Sequence, residues 1–410
     1  MTGSNWKKFT TLFGLYIAQA IPMSFFSTVV PVIMRQENYS LESIGLLQLI
    51  KLPWIFKFLW APLVDRSAGT IQNYRKWIIS SELFYAVVIL AIGFLDLRTD
   101  FILIIAMMIV AFIASATQDI ATDAFAILIL KRDERCTGNS MQSAGSFMGT
   151  LAGSGLLLVV YHFLGWKSLL FALSGFVVLA LIPLFLYRSA RPAEIREKSS
   201  PASMMDIVSF FRVPGMWKRI IMLTFFYSGI IGSLAMLKPY LVDNGYNIKE
   251  IGVISGIAGT SLAATAALFA GFLMKRISRR NAMLLFASFI VFAALYLIVA
   301  VEINTRVSVI SAILMVWISY GMATVGVFTT SMDVVRKGRE GTDFTLQIVI
   351  THLSSLIIAV FSGRLADFTG YGFLFRLEFF LAVLSLIAVF LLFPRKPIED
   401  EDKRRACAEV

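Results

Sequence analysis

YSLESIGLL (39–47) returns in the second half of the chain as YNIKEIGVI (246–254). Each copy opens an apolar stretch. KRDERCTGNSMQ (131–142) lines up in the same way with RKGREGTDFTLQ (336–347), and APLVDR (61–66) with GFLMKR (271–276). Three weak matches at nearly one offset speak for duplication more strongly than one good match would. The chain reads as two parallel halves, each built on the same order of segments.

The segments themselves are apolar. Hydrophobic residues make up 58% of the 410 residues and charged residues only 15%. The mean hydropathy is +0.78. A soluble domain is nearer half apolar and a quarter charged, so the composition is that of a polytopic membrane protein. A helix needs about 20 apolar residues to span the hydrocarbon. Windows of that size predict twelve spans, near 8–34, 41–64, 77–96, 99–129, 138–163, 168–187, 219–241, 247–274, 281–302, 307–333, 344–364 and 370–393. Runs this long without alternation suit only helices, because each span must satisfy its own backbone polar groups. The fold class expected is therefore an all-α polytopic membrane protein.

Basic residues set the orientation. With the N-terminus in the cytoplasm, most of the 37 lysines and arginines fall in inside segments. They include Arg66, Arg75 and Lys76; Lys131, Arg132 and Arg135; Lys275, Arg276, Arg279 and Arg280; and Arg336, Lys337 and Arg339. Both termini are expected in the cytoplasm. The net charge of +11 is explained by these loops and implies no nucleic-acid partner. The first span follows Lys7 and Lys8, is too long for a signal-peptide core and lacks a clean cleavage site, so it is read as retained. Cys136 and Cys407 fall in a predicted inside loop and in the tail, which implies no disulfide framework. No metal-ligand spacing occurs, and neither metal nor cofactor is expected.

Residues 188–218 (RSARPAEIREKSSPASMMDIVSFFRVPGMWK) break the hydropathy pattern. The domains expected are an N-terminal six-helix bundle (1–188), a cytoplasmic linker (189–217), a C-terminal six-helix bundle (218–394) and a cytoplasmic tail (395–410). The linker reads as a tether with a short amphipathic helix at 204–212. Parallel halves of six spans describe the major facilitator architecture, in which two bundles rock about a site at the membrane midplane.

Four charges lie inside the apolar spans. Lys51 and Lys57 belong to span two, Asp119 and Asp123 to span four. An ionisable side chain in hydrocarbon costs several kcal/mol unless it is paired or faces water. Both spans run in the same direction. At ~1.5 Å per residue, Lys57 and Asp123 each lie ~12 Å from the inner ends, with Lys51 at ~21 Å and Asp119 at ~18 Å. The matching depths predict two ion pairs between neighbouring spans. One reading is a structural ladder. The other makes Asp119 or Asp123 a proton carrier, since burial raises a carboxylate pKa and a nearby lysine lowers it. Direct solute binding is the third.

Further polar residues mark a cavity. Gln19 stands within a turn of Pro22, where it either faces a cavity or hydrogen-bonds to a neighbouring helix; Pro31, Pro53 and Pro62 also interrupt spans one and two, and such breaks either bend helices or open backbone groups to a solute. Gln118, Gln142, Gln347 and His352 are the other cavity residues expected, with Asp343 capping the start of span eleven. SAGSFMGTLAGSG (143–155) lets another helix approach closely. Arg364, Asp367, Arg376 and Glu378 are expected to pair with one another near the last outer turn.

At APLVDRSAGTIQNYRK (61–76) the chain resembles the major facilitator signature between spans two and three. Asp65 and Arg66 match it, Arg75 and Lys76 supply its basic end after a longer gap, and Ala61-Pro62 replaces its leading glycine. The resemblance implies that Asp65 and Arg66 latch the outward-open state. The second copy has Lys275 where the aspartate would stand, so only the first is expected to form an acidic latch, with Arg279 and Arg280 serving the inside rule. KFLWAPLVDR (57–66) and TQDIATDAFAILIL (117–130) resemble the paired signatures of the AmpG-like permeases. That branch includes muropeptide permeases, an acetyl-CoA transporter and siderophore permeases of the rhizobactin and pyochelin type. GLYIAQAIPMSFF (14–26) and TDFTLQ (342–347) are most similar to the siderophore group, whereas classical muropeptide permeases often carry two spans more than the twelve read here. The resemblance puts weight on Lys57, Asp65, Arg66, Gln118, Asp119 and Asp123.

The function expected is a secondary active transporter of the bacterial inner membrane, a proton-coupled importer of a medium-sized polar solute. A siderophore is slightly favoured over an anhydro-muropeptide. Its partners are that solute, protons and the bilayer, and a monomer is the family expectation. An enzyme is not expected: no HExxH or GxSxG string occurs, and nucleophile, base and acid do not converge at one depth. A transporter-like sensor would carry an output domain larger than the segment after Phe393 allows.

Overall fold

The computed structural model describes residues 3–36, 47–96, 99–187 and 201–394. Twelve long helical segments account for most of them, with a short helix at Met205–Phe210 in addition. The twelve are α1 (3–36), α2 (47–68), α3 (Ile71–Ile92), α4 (Phe101–Ile129), α5 (135–164), α6 (166–186), α7 (216–243), α8 (248–276), α9 (Arg279–Ile303), α10 (Arg306–Met332), α11 (Glu340–Thr369) and α12 (Tyr371–Leu392). Among the described residues nine helices are long and apolar enough to cross a membrane. The other three segments, α2, α3 and α5, are shortened or diluted by breaks and polar residues. The repeat copy at 39–47, apart from Leu47, lies outside the described residues, as do 188–200, the tail and Cys407.

The breaks follow the chemistry of the chain. Pro22 removes a backbone donor from α1, and the helix widens to an i→i+5 turn over Phe25–Val29. α2 is the most interrupted. A tight turn at Leu47–Lys51 leads into Leu52–Phe56, a second tight turn covers Lys57–Leu59, and Trp60 leaves helical geometry before Ala61–Ala68. Pro53 and Pro62 each start the helical piece they stand in, the place where a missing N–H costs least. α5 and α6 are divided at Gly165, whose φ of 69° only glycine adopts without strain.

α1 and α5 touch along a stripe of small residues. A Cβ at Gly145 would lie 2.7 Å from the Phe13 carbonyl oxygen, and one at Gly153 only 2.3 Å from that of Ile21. The expected role of the 143–155 stretch, close helix approach, is what is seen.

The apolar core shows where the halves meet. One cluster joins Phe9, Ala61, Tyr74 and Ile120 of the first half to Met274, Met283 and Phe344 of the second. These residues lie toward the end of the molecule that carries the basic loops. A second cluster, around Phe25, Phe26, Tyr85, Phe112 and Leu169, belongs to the N-terminal half alone and fills its opposite end. The bundles are therefore packed together at the basic end.

The described part of the linker is docked rather than loose. Helix Met205–Phe210 buries Phe210 against Met216 and Leu346. Arg336 donates to Ser209 Oγ (2.7 Å) and to the Asp206 carbonyl (3.0 Å), and Arg339 pairs with Asp206 at 3.2 Å. Burial works to raise the Asp206 pKa, but the Ser203 N–H and Arg339 outweigh it and hold the carboxyl below its usual range.

Candidate functional site

Four helices of the N-terminal bundle bring three of the four expected charges together at mid-depth. Lys57 is fully buried and forms an ion pair with Asp119. Its Nζ also lies 4.7 Å from the ring centre of Trp54, a cation–π contact. Gln19 Nε2 donates to Asp119 Oδ1 (2.9 Å) and to Gln118 Oε1 (3.2 Å). One turn further, Asp123 accepts from the Tyr16 hydroxyl and from Gln142 Nε2 (3.4 Å). The run TQDIATDA makes this possible. Asp119 and Asp123 share one helix face, and Ala121 and Ala124 leave room for neighbouring backbones.

The pairing differs from the one that equal depths predicted. Lys57 meets Asp119, not Asp123. The tight turn at Lys57–Leu59 rises ~2 Å per residue rather than ~1.5 Å, and Trp60 is not helical, so Lys57 stands farther from Asp65 than a regular helix would place it. Lys51 is exposed and does not complete a second pair with Asp123, whose partners are Tyr16 and Gln142. Hydrogen-bonding capacity is left over. Among the described residues Gln118 Nε2, Gln142 Oε1, Thr122 Oγ1 and Ser143 Oγ are buried without a partner. Buried polar atoms are usually satisfied, so such a concentration marks a place built for something other than packing.

The facing wall is aromatic. Tyr320 of α10 packs edge-on to Phe147 of α5 across the bundle interface (5.8 Å) and lies 5.8 Å from Tyr227 of α7. His352 of α11 is exposed yet within charge-interaction range of Lys57 and Asp119. It therefore lies near the space between the bundles. Gln347 does not. It accepts from Arg219 Nε (3.2 Å) and donates to the Ser331 and Asp343 carbonyls, closer to the basic end.

Two hydrogen-bonded locks join the bundles at that end. Asp65 accepts from the Gly341 N–H (2.9 Å), the Thr342 N–H (2.7 Å), the Thr342 hydroxyl (2.7 Å) and the Tyr74 hydroxyl (2.6 Å). It thereby satisfies orphan donors in the first turn of α11 and sits at the positive end of that helix. Arg66 beside it is exposed, and among the described residues nothing pairs with it, so the lock falls to Asp65 alone.

The second lock corrects the expectation for the second repeat. Asp333, in the α10–α11 connection, pairs with Arg135 from the first half and Arg279 from the second, each at 2.9 Å. Arg279 also donates to the Arg132 carbonyl (2.9 Å) and to Cys136 Sγ. Arg279 is thus a cross-bundle contact, and Cys136 is buried in the first turn of α5 rather than in a loop. The acid comes from a neighbouring loop, so the lysine at 275 does not prevent a latch.

Other expectations resolve locally. Asp343 ties down Arg336, accepting from its N–H (2.9 Å) and guanidinium (2.6 and 2.8 Å), instead of capping α11. Arg376 pairs with Glu302, and Glu378 is buried against Ser362, so the cluster expected near the last outer turn is dispersed. Two residues were missed. Asp333 looked like one more loop charge, and Arg219 lay at a linker boundary where a cation is routine. Only the match of 131–142 with 336–347 hinted that these loops face each other.

The model of the major facilitator superfamily matches residues 12–359. The chain belongs to that superfamily. It is an all-helical multi-pass membrane transporter. The anhydromuropeptide permease of Escherichia coli (strain K12) is 25% identical over 392 residues, covering 94% of this chain and 79% of that protein. An uncharacterized protein of Haemophilus influenzae is 25% identical over 397 residues, covering 92% of each. The putative transporter AmpG 1 of Rickettsia bellii is 24% identical over 272 residues, covering 62% of this chain and 65% of that one. Among solved structures, a bacterial homologue of the iron transporter ferroportin, in an outward-facing state, superposes with a TM-score of 0.74 at 15% identity, covering 94% of this chain and 99% of that one. That likeness concerns the fold.

Proposed function

We propose that this chain is a proton-coupled importer of anhydro-muropeptides in a bacterial inner membrane, with both termini in the cytoplasm. The observation that carries the coupling is the buried Lys57–Asp119 pair with Asp123 one turn away. The substrate rests on the similarity to the E. coli anhydromuropeptide permease along most of both chains, which outweighs the sequence motifs that favoured a siderophore.

With the basic end in the cytoplasm, the bundles are shut toward the cytoplasm and the polar network faces the periplasm. This is an outward-open form, held by the Asp65 and Asp333 locks. A proton reaching Asp119 would cancel its charge and release Lys57, which then accepts a substrate carboxylate. Desolvation favours a neutral acid and a nearby cation favours the ionised one, so gain of a proton and departure of the lysine support each other. With all charges matched, the bundles can close over the site and the locks can part. The aromatic wall at Tyr320 and Tyr227 suits sugar faces.

Uptake tests this. A strain lacking the gene is offered labelled anhydro-muropeptide and iron-loaded siderophore, with and without a protonophore. Protonophore-sensitive uptake of the muropeptide alone should disappear with the gene. Loss of siderophore uptake alone would replace the substrate assignment and leave the coupling chemistry to stand.

A further inference from the structure

Arg219 enters α7 just inside its basic end and is held by neutral groups only. Nε donates to Gln347 Oε1 (3.2 Å); Nη2 donates to Thr330 Oγ1 (2.9 Å), Ser331 Oγ (2.8 Å) and the Val327 carbonyl (3.5 Å). Among the described residues no carboxylate pairs with it, and Nη1 donates to no protein group. Asp333, whose charge it senses, is already claimed by Arg135 and Arg279. The residue keeps partial exposure, and Nη1 is the guanidinium nitrogen left without a protein partner among the described residues.

A guanidinium within a membrane helix normally finds a counter-ion, because an unpaired charge there is costly. Here α10 and α11 supply four neutral acceptors instead, which fix the planar fork and leave one edge open. That geometry suits a carboxylate, whose two oxygens match two N–H groups of the fork. A neutral seat also avoids a competing internal acid.

All four acceptors belong to the same bundle as Arg219. Rocking of the bundles leaves the seat intact, unlike the cross-bundle locks at Asp65 and Asp333. By helix rise the acceptors lie ~1.5 to ~10 Å from the basic ends of α10 and α11, below the level of Lys57 and Asp119. The seat is under the closed floor in the form described and borders the opened path once the locks part.

We propose that Arg219 is an exit-side anion seat, which receives a carboxylate of the substrate after it leaves Lys57. This rests on the reading of the chain as an importer of carboxylate-bearing anhydro-muropeptides.

The test uses full-length protein in proteoliposomes and two labelled probes, an anhydro-muropeptide with a free C-terminal carboxylate and its C-terminal amide. Wild type should carry the carboxylate form about tenfold faster, the scale of losing the charge from one charge-assisted hydrogen bond. Arg219→Gln should reduce that preference to about twofold or less, through turnover more than KM, and Arg219→Lys should restore part of it. Equal loss for both probes in Arg219→Gln, or an unchanged preference, would overturn the seat. If wild type carries neither probe, the substrate reading fails, and the seat is judged separately by phenylglyoxal modification of wild type read by mass spectrometry. Slower modification of Arg219 with added acetate would uphold it. A rate insensitive to acetate would overturn it.

Discussion

The two halves of this transporter share a pattern but divide the charge unequally. The repeat offsets place Ala264 opposite Lys57, Thr324 opposite Asp119 and Phe328 opposite Asp123. The first half thus holds a buried ion pair and a second acid at mid-depth, where the second holds a methyl group, a hydroxyl and a ring packed on Phe344. Duplication supplied two equivalent scaffolds, and at these three positions only the first carries charged side chains. Under the proposed function, such an asymmetry would let one bundle sense protons while the other offers shape and stacking. The charges that join the bundles are shared more evenly: Asp65 of the first half accepts from backbone donors of the second, and Asp333 of the second pairs with arginines from both.

The largest effect expected comes from unbalancing the loaded half. Lys57→Met leaves Asp119 buried without its cation, which costs about 3–5 kcal/mol when one partner of a buried pair is removed. Uptake should vanish and thermal stability should fall. Lys57→Met combined with Asp119→Leu should recover most of the stability but none of the coupled uptake. Recovery of both would reduce the pair to scaffolding. Moving the pair to the other half, as Ala264→Lys with Thr324→Asp in that double variant, should not restore uptake, because Gln19, Gln118 and Asp123, which surround the native pair, belong to the first half.

Asp65→Asn should come next. It weakens three charge-assisted hydrogen bonds to α11, each worth about 1.5–3 kcal/mol. The population should move away from the outward-open form, and Cys136, buried beneath the neighbouring lock, should react with a maleimide at least about tenfold faster in a Cys407→Ser background. Arg66→Gln should change this rate little, since Arg66 is exposed. Asp333→Asn removes an anion shared by two arginines that are part exposed, and its effect on the same labelling should be a few-fold.

The smallest effect belongs to Lys8 and Glu134, which join α1 to the turn before α5 at 2.8 Å. Burial tends to raise the Glu134 pKa, but the Lys8 hydrogen bond prevails and holds it below the ordinary value. A depressed carboxylate contributes stability above its unfolded pKa and loses it as pH falls through the folded one. Glu134→Gln should therefore cost about 1 kcal/mol or less near neutrality, and the difference in melting temperature from wild type should shrink in acid.

The architecture was legible because hydropathy and the repeats act over long windows. Helix count, the basic-loop pattern and the α1–α5 stripe need only composition and spacing. Which side chains meet was less legible. Lys57 was paired with the acid one helical turn too low; the break at Lys57–Trp60 alters the rise and the direction of the chain, and nothing local in KFLW announces a non-helical Trp60. The Gln19 and Gln142 contacts follow from residue type, since buried amides seek partners. Asp333, Arg279 and Arg219 were obscured by the basic loops around them: a charge at a membrane boundary needs no explanation until its partner from the other bundle is seen.

The decisive measurement is accumulation of labelled anhydro-muropeptide in proteoliposomes under an imposed proton gradient, in wild type, Asp119→Asn and Asp123→Asn. Wild type should concentrate the probe until a protonophore is added. Asp119→Asn should lose accumulation yet still exchange labelled for unlabelled probe across the membrane, and Asp123→Asn should be impaired in the same sense. Undiminished gradient-driven accumulation in both variants would contradict proton coupling through the charged half.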